Sequence, residues 1–450
     1  MTFFPLTVDG ADVPRAHLVE LTDRLTAELS GHGVGAGRAV MPATGDPVTT
    51  VATMLAADRL DAPVLLGGHA ATDAEPAWAV VDATARVRAA HDRPGGPLPE
   101  RTAAVLWTSG TSGRPKAVAL SRQALAYQGD ATAAHLGISA RDRLLLPLPL
   151  HHSYAYSVLQ VCRSTGAHLY VESGFQVRRI IRRIRDARIT SMDGVPSMYR
   201  ALAADAGSHP ETRAALAGLR IRGCGGDVLA PGLHERFVGR TGVGLHDGYG
   251  LTEAGPNVAI NVPGRIRPGS VGSLLDGTRA RVHGPDREVQ VNSPSLMTGY
   301  VDPATGALLP APFTEDGWLP TGDTGAVSPD GHLTITGRIK EVLIVHGETV
   351  APAILEDVIR TVPGVAEAVV LGRPGRARGD EIHAFVQPAD GAADRAALRA
   401  RVLAACRGAL PPQLRPRAVH LAAELPRTAS GKVERRGLRA LYADVLGAGS

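Results

Sequence analysis

The sequence predicts an α/β fold with largely parallel sheets. From Thr102 onward, short apolar segments alternate with helix-like segments, a pattern typical of successive βαβ units. The length of 450 residues favours two to four compact units. Hydrophobic residues make up 44% of the chain and charged residues 20%, so the chain can bury a substantial core.

The elements can be assigned in order along the chain. An amphipathic helix is predicted around residues 15–30, and the rest of the first hundred residues is Ala-rich and weakly patterned. Ser121 is expected to cap a helix that runs to about His135, and Pro196 suits the first turn of another helix. Buried strands are expected at residues 103–107, 117–120, 143–148, 167–171 and 188–195.

The pattern changes in the last third of the chain. Between residues 269 and 337 it becomes short strands with turns, such as the Pro-Asp-Gly turn within residues 327–335. A further βαβ-like unit follows, with a helix near residues 394–406 and a Pro-rich loop at 411–416. The main domain boundary is therefore predicted at residues 338–340.

Charge and cysteine usage argue against several protein classes. The 48 basic and 44 acidic residues leave an excess of four, too small and too dispersed for nucleic acid or a membrane surface. The cysteines, Cys162, Cys224 and Cys406, form no CxxC pair, so neither a disulfide framework nor a zinc site is expected. No signal-peptide pattern and no apolar run of about 20 residues is evident. A cytoplasmic protein without nucleic-acid or membrane partners is expected.

Lysine is almost absent from the sequence. Of the 48 basic residues, 45 are arginine and three are lysine: Lys116, Lys340 and Lys432. A lysine kept against this bias indicates a position where a compact ammonium is needed rather than a planar guanidinium. All three lie in Gly-rich segments, so they are candidates for chemistry.

Residues 108–116, Thr-Ser-Gly-Thr-Ser-Gly-Arg-Pro-Lys, have the properties of a phosphate-binding loop. Two glycines allow backbone N–H groups to turn inward, the hydroxyls add donors, and Lys116 adds a positive charge. The segment is not a Walker A loop, because GxxxxGK[ST] is absent and a strand follows. A plain Ser/Thr/Gly surface loop is the alternative. The candidate nucleotide-binding residues here are Thr108, Ser109, Gly110, Thr111, Ser112, Gly113 and Lys116.

Residues 106–118, LWTSGTSGRPKAV, resemble the signature of the acyl-adenylate-forming superfamily, which includes acyl-CoA synthetases, adenylation domains of peptide synthetases and beetle luciferase. Its later motifs follow in order: GYGLTEAG at 248–255, GWLPTGDTG at 317–325, GRIKEVLIVHGETV at 337–350 and PRTASGKVERR at 426–436. The resemblance implies a large N-terminal adenylation domain, residues 1–338, with parallel-rich αβ sheets, a distorted β-barrel part and a shortened first subdomain. A small mobile α+β C-terminal domain, residues 339–450, would carry the catalytic lysine.

The resemblance also implies roles for individual residues. Lys116 and the loop hydroxyls would hold the β- and γ-phosphates, and Glu253 would hold Mg²⁺. Lys432 would bridge the substrate carboxylate and the α-phosphate, Lys340 would lie at the hinge, and Gly347 would line a thiol tunnel. The remaining nucleotide-binding positions are Gly226, Asp247, Gly248, Tyr249 beside adenine, Gly250, Thr252 at phosphate, and Asp323 with Arg338 at the ribose.

The sequence departs from the family pattern in two places. The usual Pro-x-Glu-x-Glu after the hinge is Pro352-Ala-Ile-Leu-Glu356 here, so the first acid is missing, which is expected to alter local packing more than chemistry. The phosphate loop also lies nearer the N-terminus than usual, which could reshape the acyl pocket.

Residues 149–157, PLHHSYAYS, fall where the family places part of its acid pocket. Amino-acid-activating members generally carry an Asp there, whereas this chain has His151 and His152, so an ordinary α-amino acid is disfavoured. The pocket for an aryl or modest aliphatic acid is predicted from His152, Ser153, Tyr156, Gly225 and Gly250. Packing of His151 in the core is the alternative.

The acceptor is less well specified. Residues 178–188 form a basic helix that is either a solvated face or a docking site for an acidic carrier protein. Arg373, Arg376 and Arg378 form a second cluster that could meet the 3′-phosphate of CoA.

The leading hypothesis is an acid–thiol ligase that uses ATP and Mg²⁺. A carboxylate is a poor electrophile, and its conversion to an acyl-AMP, with release of pyrophosphate, provides a good leaving group for transfer to CoA. One alternative is an enzyme of secondary metabolism that loads a phosphopantetheinyl carrier protein or acylates another nucleophile. A catalytically silent nucleotide-binding protein is the second alternative. The identity of the acid is left open.

Overall fold

The structure is a computed structural model of the chain. It describes residues 3–67, 77–89, 97–108, 116–302, 305–341, 343–345, 348–350, 352–375, 379–389, 394–427 and 433–446, without the side chains of 77, 78, 348 and 349. The helices are α1 (Arg15–Gly31), α2 (Pro47–Arg59), α3 (Arg122–Leu136), α4 (Ser153–Thr165), α5 (Val177–Asp186), α6 (Pro196–Ala206), α7 (Pro210–Gly218), α8 (Pro231–Thr241), α9 (Pro352–Arg360), α10 (Arg395–Ala409), α11 (Arg435–Leu441) and α12 (Ala443–Leu446).

The strands follow the same alternation. They are β1 (Leu6–Val8), β2 (Ala11–Val13), β3 (Ala39–Pro42), β4 (Val64–Leu66), β5 (Ala77–Val81), β6 (Val87–Ala89), β7 (Thr102–Thr108), β8 (Lys116–Ser121), β9 (Arg143–Leu146), β10 (His168–Val171), β11 (Ser191–Gly194), β12 (Ile221–Cys224), β13 (His246–Tyr249), β14 (Ala259–Ile260), β15 (Gly272–Leu274), β16 (Arg279–His283), β17 (Glu288–Asn292), β18 (Gly299–Val301), β19 (Leu308–Leu309), β20 (Leu319–Val327), β21 (His332–Arg338), β22 (Leu343–Val345), β23 (Glu348–Val350), β24 (Val365–Pro374), β25 (Asp380–Pro388) and β26 (Ala418–Leu421).

The largest sheet in the described residues has 13 strands and two halves. Strands β13, β12, β11, β9, β10 and β1 are parallel neighbours, as the βαβ pattern predicts. From β13 outward the strands are antiparallel, in the order β14, β15, β21, β20, β17, β16. This antiparallel half occupies the region in which a distorted barrel is expected, and it continues the edge of the parallel half.

A second sheet of eight strands includes four short strands, β3 to β6, from the weakly patterned part of the first hundred residues. Its strands β5, β3, β4 and β7 are parallel, and β7 pairs with β8 as a hairpin. Helix α3 packs on this second sheet and α4 on the 13-stranded sheet, and the two helices pack against each other. The main hydrophobic core fills this space between the two sheets.

The C-terminal residues form a small α+β domain with its own core. Strands β24, β25 and β26 make a three-stranded sheet, against which α9, α10, α11 and α12 pack. Its core residues, from Leu343 to Val419, belong to a different cluster from the main core. Within the described ranges, no helix is long and apolar enough to cross a lipid bilayer.

Candidate active site

The sequence motifs meet at the carboxyl ends of parallel strands. In the register of the sheet, Asp193 of β11 lies opposite Gly223 of β12, and Cys224 of β12 lies opposite Asp247 of β13. The Gly225-Gly226 segment follows β12, and the Gly250–Gly255 segment follows β13. Because the carboxyl ends of parallel strands share one edge, these segments come together there.

Asp323 joins two motifs that are distant in the sequence. Its Oδ2 accepts a hydrogen bond of 2.6 Å from the Tyr249 hydroxyl, and its Oδ1 lies 3.1 Å from Nε of Arg338. Burial raises the pKa of Asp323, while the Arg338 guanidinium and the Tyr249 hydroxyl act in the opposite direction. Burial also raises the pKa of Tyr249, and the Asp323 carboxylate adds to this effect. The carboxyl group is thus fixed between the predicted adenine residue and the predicted ribose arginine.

Glu253 and Lys116 are linked by a residue that the sequence analysis missed. The Tyr300 hydroxyl donates a hydrogen bond of 3.1 Å to Oε1 of Glu253. The ammonium of Lys116 lies 4.6 Å from the centre of the same tyrosine ring, a cation–π contact. Tyr300 is on β18, which pairs with β8 directly after Lys116. It lies outside the recognised motifs, so no local signal marked it.

Thr252 connects the nucleotide motif to helix α4. Its hydroxyl donates a hydrogen bond of 3.0 Å to Oγ of Ser153, the first residue of that helix. Gly250, two residues earlier, is required sterically, because a Cβ there would lie 1.5 Å from the carbonyl oxygen of Pro256. The predicted phosphate-contacting threonine and the predicted acid-pocket serine are therefore adjacent.

The predicted aromatic residue of the acid pocket requires a correction. Tyr156 is 3% exposed and belongs to the main hydrophobic core, because its position on α4 faces inward. Tyr154 is the tyrosine of this segment that lies beside Gly225, since a Cβ on Gly225 would lie 3.4 Å from its ring. The Tyr154 hydroxyl donates a hydrogen bond of 2.9 Å to Oδ1 of Asp193. Asp193 is the one acidic residue of the predicted strand at 188–195, and this was the available signal for it.

The histidines of the same segment lie at the start of α4. His151 and His152 are half-buried, and their ring centres are 4.9 Å apart. His152 occupies the N-cap position of α4, directly before Ser153.

Asp247 has a different environment from the other predicted nucleotide residues. With His234 and Asn261 it lines a cavity of about 10 Å³, which suits one water molecule rather than part of a nucleotide. Burial raises the pKa of Asp247 well above its ordinary value, opposed by a hydrogen bond from the Gly248 N–H.

Several predicted residues lie outside the described residues. They are Ser109, Gly110, Thr111, Ser112, Gly113, Gly347, Arg376, Arg378 and Lys432. Flanking residues are described: Thr108 and Lys116 are partners at the end of the β7–β8 ladder, and Arg427 and Val433 form an isolated bridge. Lys340 is exposed.

Comparison with known proteins assigns the family. The model of the AMP-binding enzyme family matches residues 73–301, and the model of the AMP-binding enzyme C-terminal domain matches residues 355–432. The chain belongs to the AMP-binding enzyme family. It is 34% identical to the sulfoacetate–CoA ligase of Cupriavidus necator over 75% of this chain and 67% of that protein. It is 30% identical to the feruloyl-CoA synthase of Amycolatopsis sp. over 93% of this chain and 82% of that protein.

The solved structures of MatB from Rhodopseudomonas palustris are informative about the overall arrangement of this AMP-binding enzyme. The ATP-bound structure matches with a TM-score of 0.80 at 26% identity, covering 98% of this chain and 96% of MatB. The apo structure of the same protein matches with a TM-score of 0.69 at the same identity, covering 99% and 96%. The arrangement of this chain is therefore closer to that of ATP-bound MatB.

The small domain of this AMP-binding enzyme contacts the large one through charged residues. Arg236 on α8 and Asp357 on α9 form a salt bridge of 3.0 Å. Burial lowers the pKa of Arg435, but the carboxylates of Glu356, Glu341 and Asp227 outweigh it and hold this pKa above its ordinary value. Asp227 directly follows the Gly225-Gly226 segment, and Arg435 is three residues beyond Lys432. The segment just after the predicted catalytic lysine thus lies near the Gly225-Gly226 segment of the large domain.

Some described arginines of the two predicted basic clusters form salt bridges within the chain. On α5, Arg179 and Arg183 contact the buried carboxylate of Glu172, at 3.0 and 2.8 Å, and Arg178 pairs with Glu211. Arg373 pairs with Glu381.

Proposed function

We propose that this chain is an AMP-forming acid–CoA ligase that activates a carboxylic acid as its acyl adenylate. The observation that carries the proposal is the convergence of separate motifs at one site, to which both sheets contribute residues. The Tyr249–Asp323–Arg338 group, the Lys116–Tyr300–Glu253 group and the Thr252–Ser153 hydrogen bond all lie there. Its relatives include sulfoacetate–CoA ligase and feruloyl-CoA synthase, which supports CoA as the acceptor.

In the adenylation step, an oxygen of the acid's carboxylate attacks the α-phosphorus of ATP. The bond from that phosphorus to its bridging oxygen breaks, and pyrophosphate leaves. Asp323 would accept hydrogen bonds from the ribose hydroxyls, with Arg338 holding its orientation. Thr252 and Lys116 would donate to the phosphate oxygens, where negative charge concentrates. Lys432 would approach the reacting carboxylate and the α-phosphate together.

The environment of Glu253 fits a magnesium ion. One of its carboxylate oxygens accepts the Tyr300 hydroxyl, and the other accepts no hydrogen bond from the described residues. The described residues hold no cluster of three or more metal-ligating side chains, and Mg²⁺ bound with ATP needs only one or two carboxylates besides phosphate oxygens. When bound, the ion would neutralise charge on the phosphates.

In the second step, the thiol sulfur of CoA attacks the acyl carbon and AMP leaves. The proposed domains are residues 1–338 and 339–450, with Lys340 at the hinge between them. The small domain would turn between a pose that presents Lys432 and a pose that presents Gly347 to the thiol. The structure would correspond to the first pose, because it is closer to ATP-bound MatB than to the apo form.

The cytoplasm is the proposed location, because the reaction consumes ATP and CoA. The three cysteines of the chain are free and buried, as expected in a reducing compartment.

The test is acid-dependent release of pyrophosphate from ATP over a panel of aryl and short to medium aliphatic acids, with and without CoA. We expect at least one acid to give release that accelerates with CoA and to yield an acyl-CoA. Lys432→Ala should reduce this release by about a hundredfold or more, and Lys432→Arg should not restore it, because a planar guanidinium does not replace a compact ammonium.

Two results would contradict the proposal. Release that is indifferent to CoA would indicate a carrier protein or another nucleophile as acceptor. ATP binding without release for any acid, unchanged by Lys432→Ala, would indicate a silent nucleotide-binding protein.

A further inference from the structure

Asp193 is an acidic residue on an interior strand of the parallel half of the large sheet. It is on β11, which has β9 on one side and β12 on the other. The preceding residues of the strand, Ser191 and Met192, are buried. A carboxyl group in this position is costly unless it has hydrogen-bond partners or serves a ligand.

The described residues give Asp193 too few partners. Its Oδ1 accepts the 2.9 Å hydrogen bond from the Tyr154 hydroxyl, and its Oδ2 accepts none from the described residues. None of the described cationic side chains forms a salt bridge with it. Burial raises the pKa of Asp193 to about 6, with the Tyr154 hydroxyl acting against this effect, so the group is mostly ionised at neutral pH. An ionised carboxylate with a single donor lacks part of its hydrogen bonding.

Both members of the pair retain surface that a ligand can reach. Asp193 and Tyr154 are half-buried, although the strands around them are buried. Gly223 gives them room, because a Cβ there would lie 2.4 Å from Oδ1 of Asp193 and 3.2 Å from the Tyr154 hydroxyl. Any larger residue at position 223 would collide with the pair.

The Tyr154 side chain connects Asp193 to the proposed reaction centre. Tyr154 follows Ser153, which accepts the hydrogen bond from Thr252. The Tyr154 ring extends past Gly225 and Gly226 toward Asp193. An acid whose carboxylate lies at Thr252 can therefore place its far end near Asp193 if it is about as long as an aromatic ring.

We propose that Asp193 and Tyr154 form the polar end of the acyl pocket and select acids that carry an N–H or O–H donor remote from the reacting carboxylate. This assignment rests on the proposed acid–CoA ligase function. A protonated amine or a hydroxyl group on the substrate supplies the donor that the second oxygen of Asp193 lacks. An acid that ends in a methyl group buries the carboxylate without a partner, which is unfavourable.

The test uses stable acylsulfamoyl adenosines, which mimic acyl adenylates and report binding without turnover. The probes are the 4-aminobenzoyl, 4-hydroxybenzoyl and 4-methylbenzoyl compounds and an aliphatic pair, 4-aminobutanoyl and pentanoyl. We expect the wild-type protein to bind the tighter of the 4-amino and 4-hydroxy compounds about tenfold to a hundredfold more tightly than the 4-methyl compound. The same difference is expected between the 4-aminobutanoyl and the pentanoyl compound. Asp193→Asn keeps the shape and an acceptor for Tyr154 but removes the charge, and it should reduce this preference to less than about threefold.

Other variants separate recognition from structure. Asp186→Asn, an exposed acid at the end of α5, is the matched control and should keep the wild-type preference. Tyr154→Phe should keep the preference for donor-bearing probes, because the Asp193 carboxylate then has only the ligand as its hydrogen-bond donor. If Asp193 only holds Tyr154 in place, Asp193→Asn and Tyr154→Phe will weaken all five probes equally, and the proposal is wrong.

The outcomes also distinguish this proposal from the proposed function. Equal or tighter binding of the methyl compounds to the wild-type protein overturns the donor assignment alone, whatever acids are turned over. Failure of all five probes to bind overturns both the pocket and the adenylate site. Tight, donor-dependent binding without any acyl-CoA formation supports the pocket and contradicts only the CoA-ligase activity.

Discussion

The burial of Asp193 has a consequence for stability. Its pKa is about 6 in the folded chain, because burial disfavours the charge, against an ordinary value of 3.8. Between these two values the folded chain holds a proton that the unfolded chain has lost. Stability therefore falls as the pH rises from about 4 to about 6, and it stays lower above that range.

We expect Asp193→Asn to remove this pH-dependent loss of stability. The free energy of unfolding of the variant should be close to that of the wild-type protein at pH 4 and up to about 3 kcal/mol higher at pH 7.5. Denaturant unfolding followed by fluorescence at both pH values measures the difference, with Asp186→Asn as the control. Equal effects at the two pH values would show that Asp193 is not protonated in the folded chain at pH 4 to 6.

The site residues differ in how readily the sequence reveals them. Tyr249, Asp323 and Arg338 are in motifs, and the structure brings them together, although their roles stay predictions. Tyr300 is in no motif, and only the pairing of β18 with β8 brings it to Lys116. The choice between Tyr154 and Tyr156 depends on the rotation of α4, which a segment of mixed polarity does not define.

At the scale of elements, a helix could be predicted where the sequence shows a polar face or a capping residue. Helix α1 and the Ser121-capped helix α3 were predicted, and the Oγ of Ser121 accepts a hydrogen bond from the Ala124 N–H as expected. Helix α2 was missed, because residues 49 to 57 are all buried and leave no polar face to give a helical period. Its start was visible only as Asp46 before Pro47, where the aspartate accepts hydrogen bonds from two backbone N–H groups.

Helix α9 explains why one acid of the family pattern is kept and the other is dispensable. Ile354, at the position of the missing acid, is 51% exposed. Glu356 is 2% exposed and accepts hydrogen bonds from the Val370 N–H at 2.9 Å and from Arg435 at 2.6 Å. It also pairs with Arg360 at 3.3 Å. The retained carboxylate thus connects α9, β24 and the start of α11.

Glu356→Ala should therefore destabilise the small domain and impair adenylation. It removes one acceptor each from Arg360, Arg435 and the Val370 N–H, and because the two arginines keep other acceptors the cost is about 2 to 3 kcal/mol. Since Arg435 is three residues after Lys432, acid-dependent pyrophosphate release should fall as well. Thermal unfolding and the release assay measure the two effects. Glu424→Ala, an exposed acid of the same domain, should change stability by less than about 0.5 kcal/mol, and an equal effect of both variants would contradict this role.

At the scale of the whole molecule, the two domains meet through charges rather than through a shared core. The residues of the small-domain core and of the main core form separate clusters. The contact includes the Arg236–Asp357 salt bridge, and Arg200 on α6 lies close to Arg360 and Glu367 of the small domain. Burial lowers the pKa of Arg200, and Arg360 adds to this effect. Charged contacts of this kind hold a pose without burying apolar surface, so the domains can separate at little cost.

The Arg236–Asp357 salt bridge offers a test of whether this pose is the adenylating one. Arg236→Ala should slow acid-dependent pyrophosphate release about threefold to tenfold, because a partly exposed pair contributes about 1 kcal/mol. Formation of acyl-CoA from supplied acyl adenylate should not slow, because that step uses the other pose.

Arg240→Ala on the same helix is the matched control. The double variant Arg236→Asp with Asp357→Arg should recover pyrophosphate release that either single reversal loses. If Arg236→Ala instead slows only the transfer to CoA, the contact belongs to the thiol-transfer pose, and the assignment of the structure to the adenylating pose is wrong.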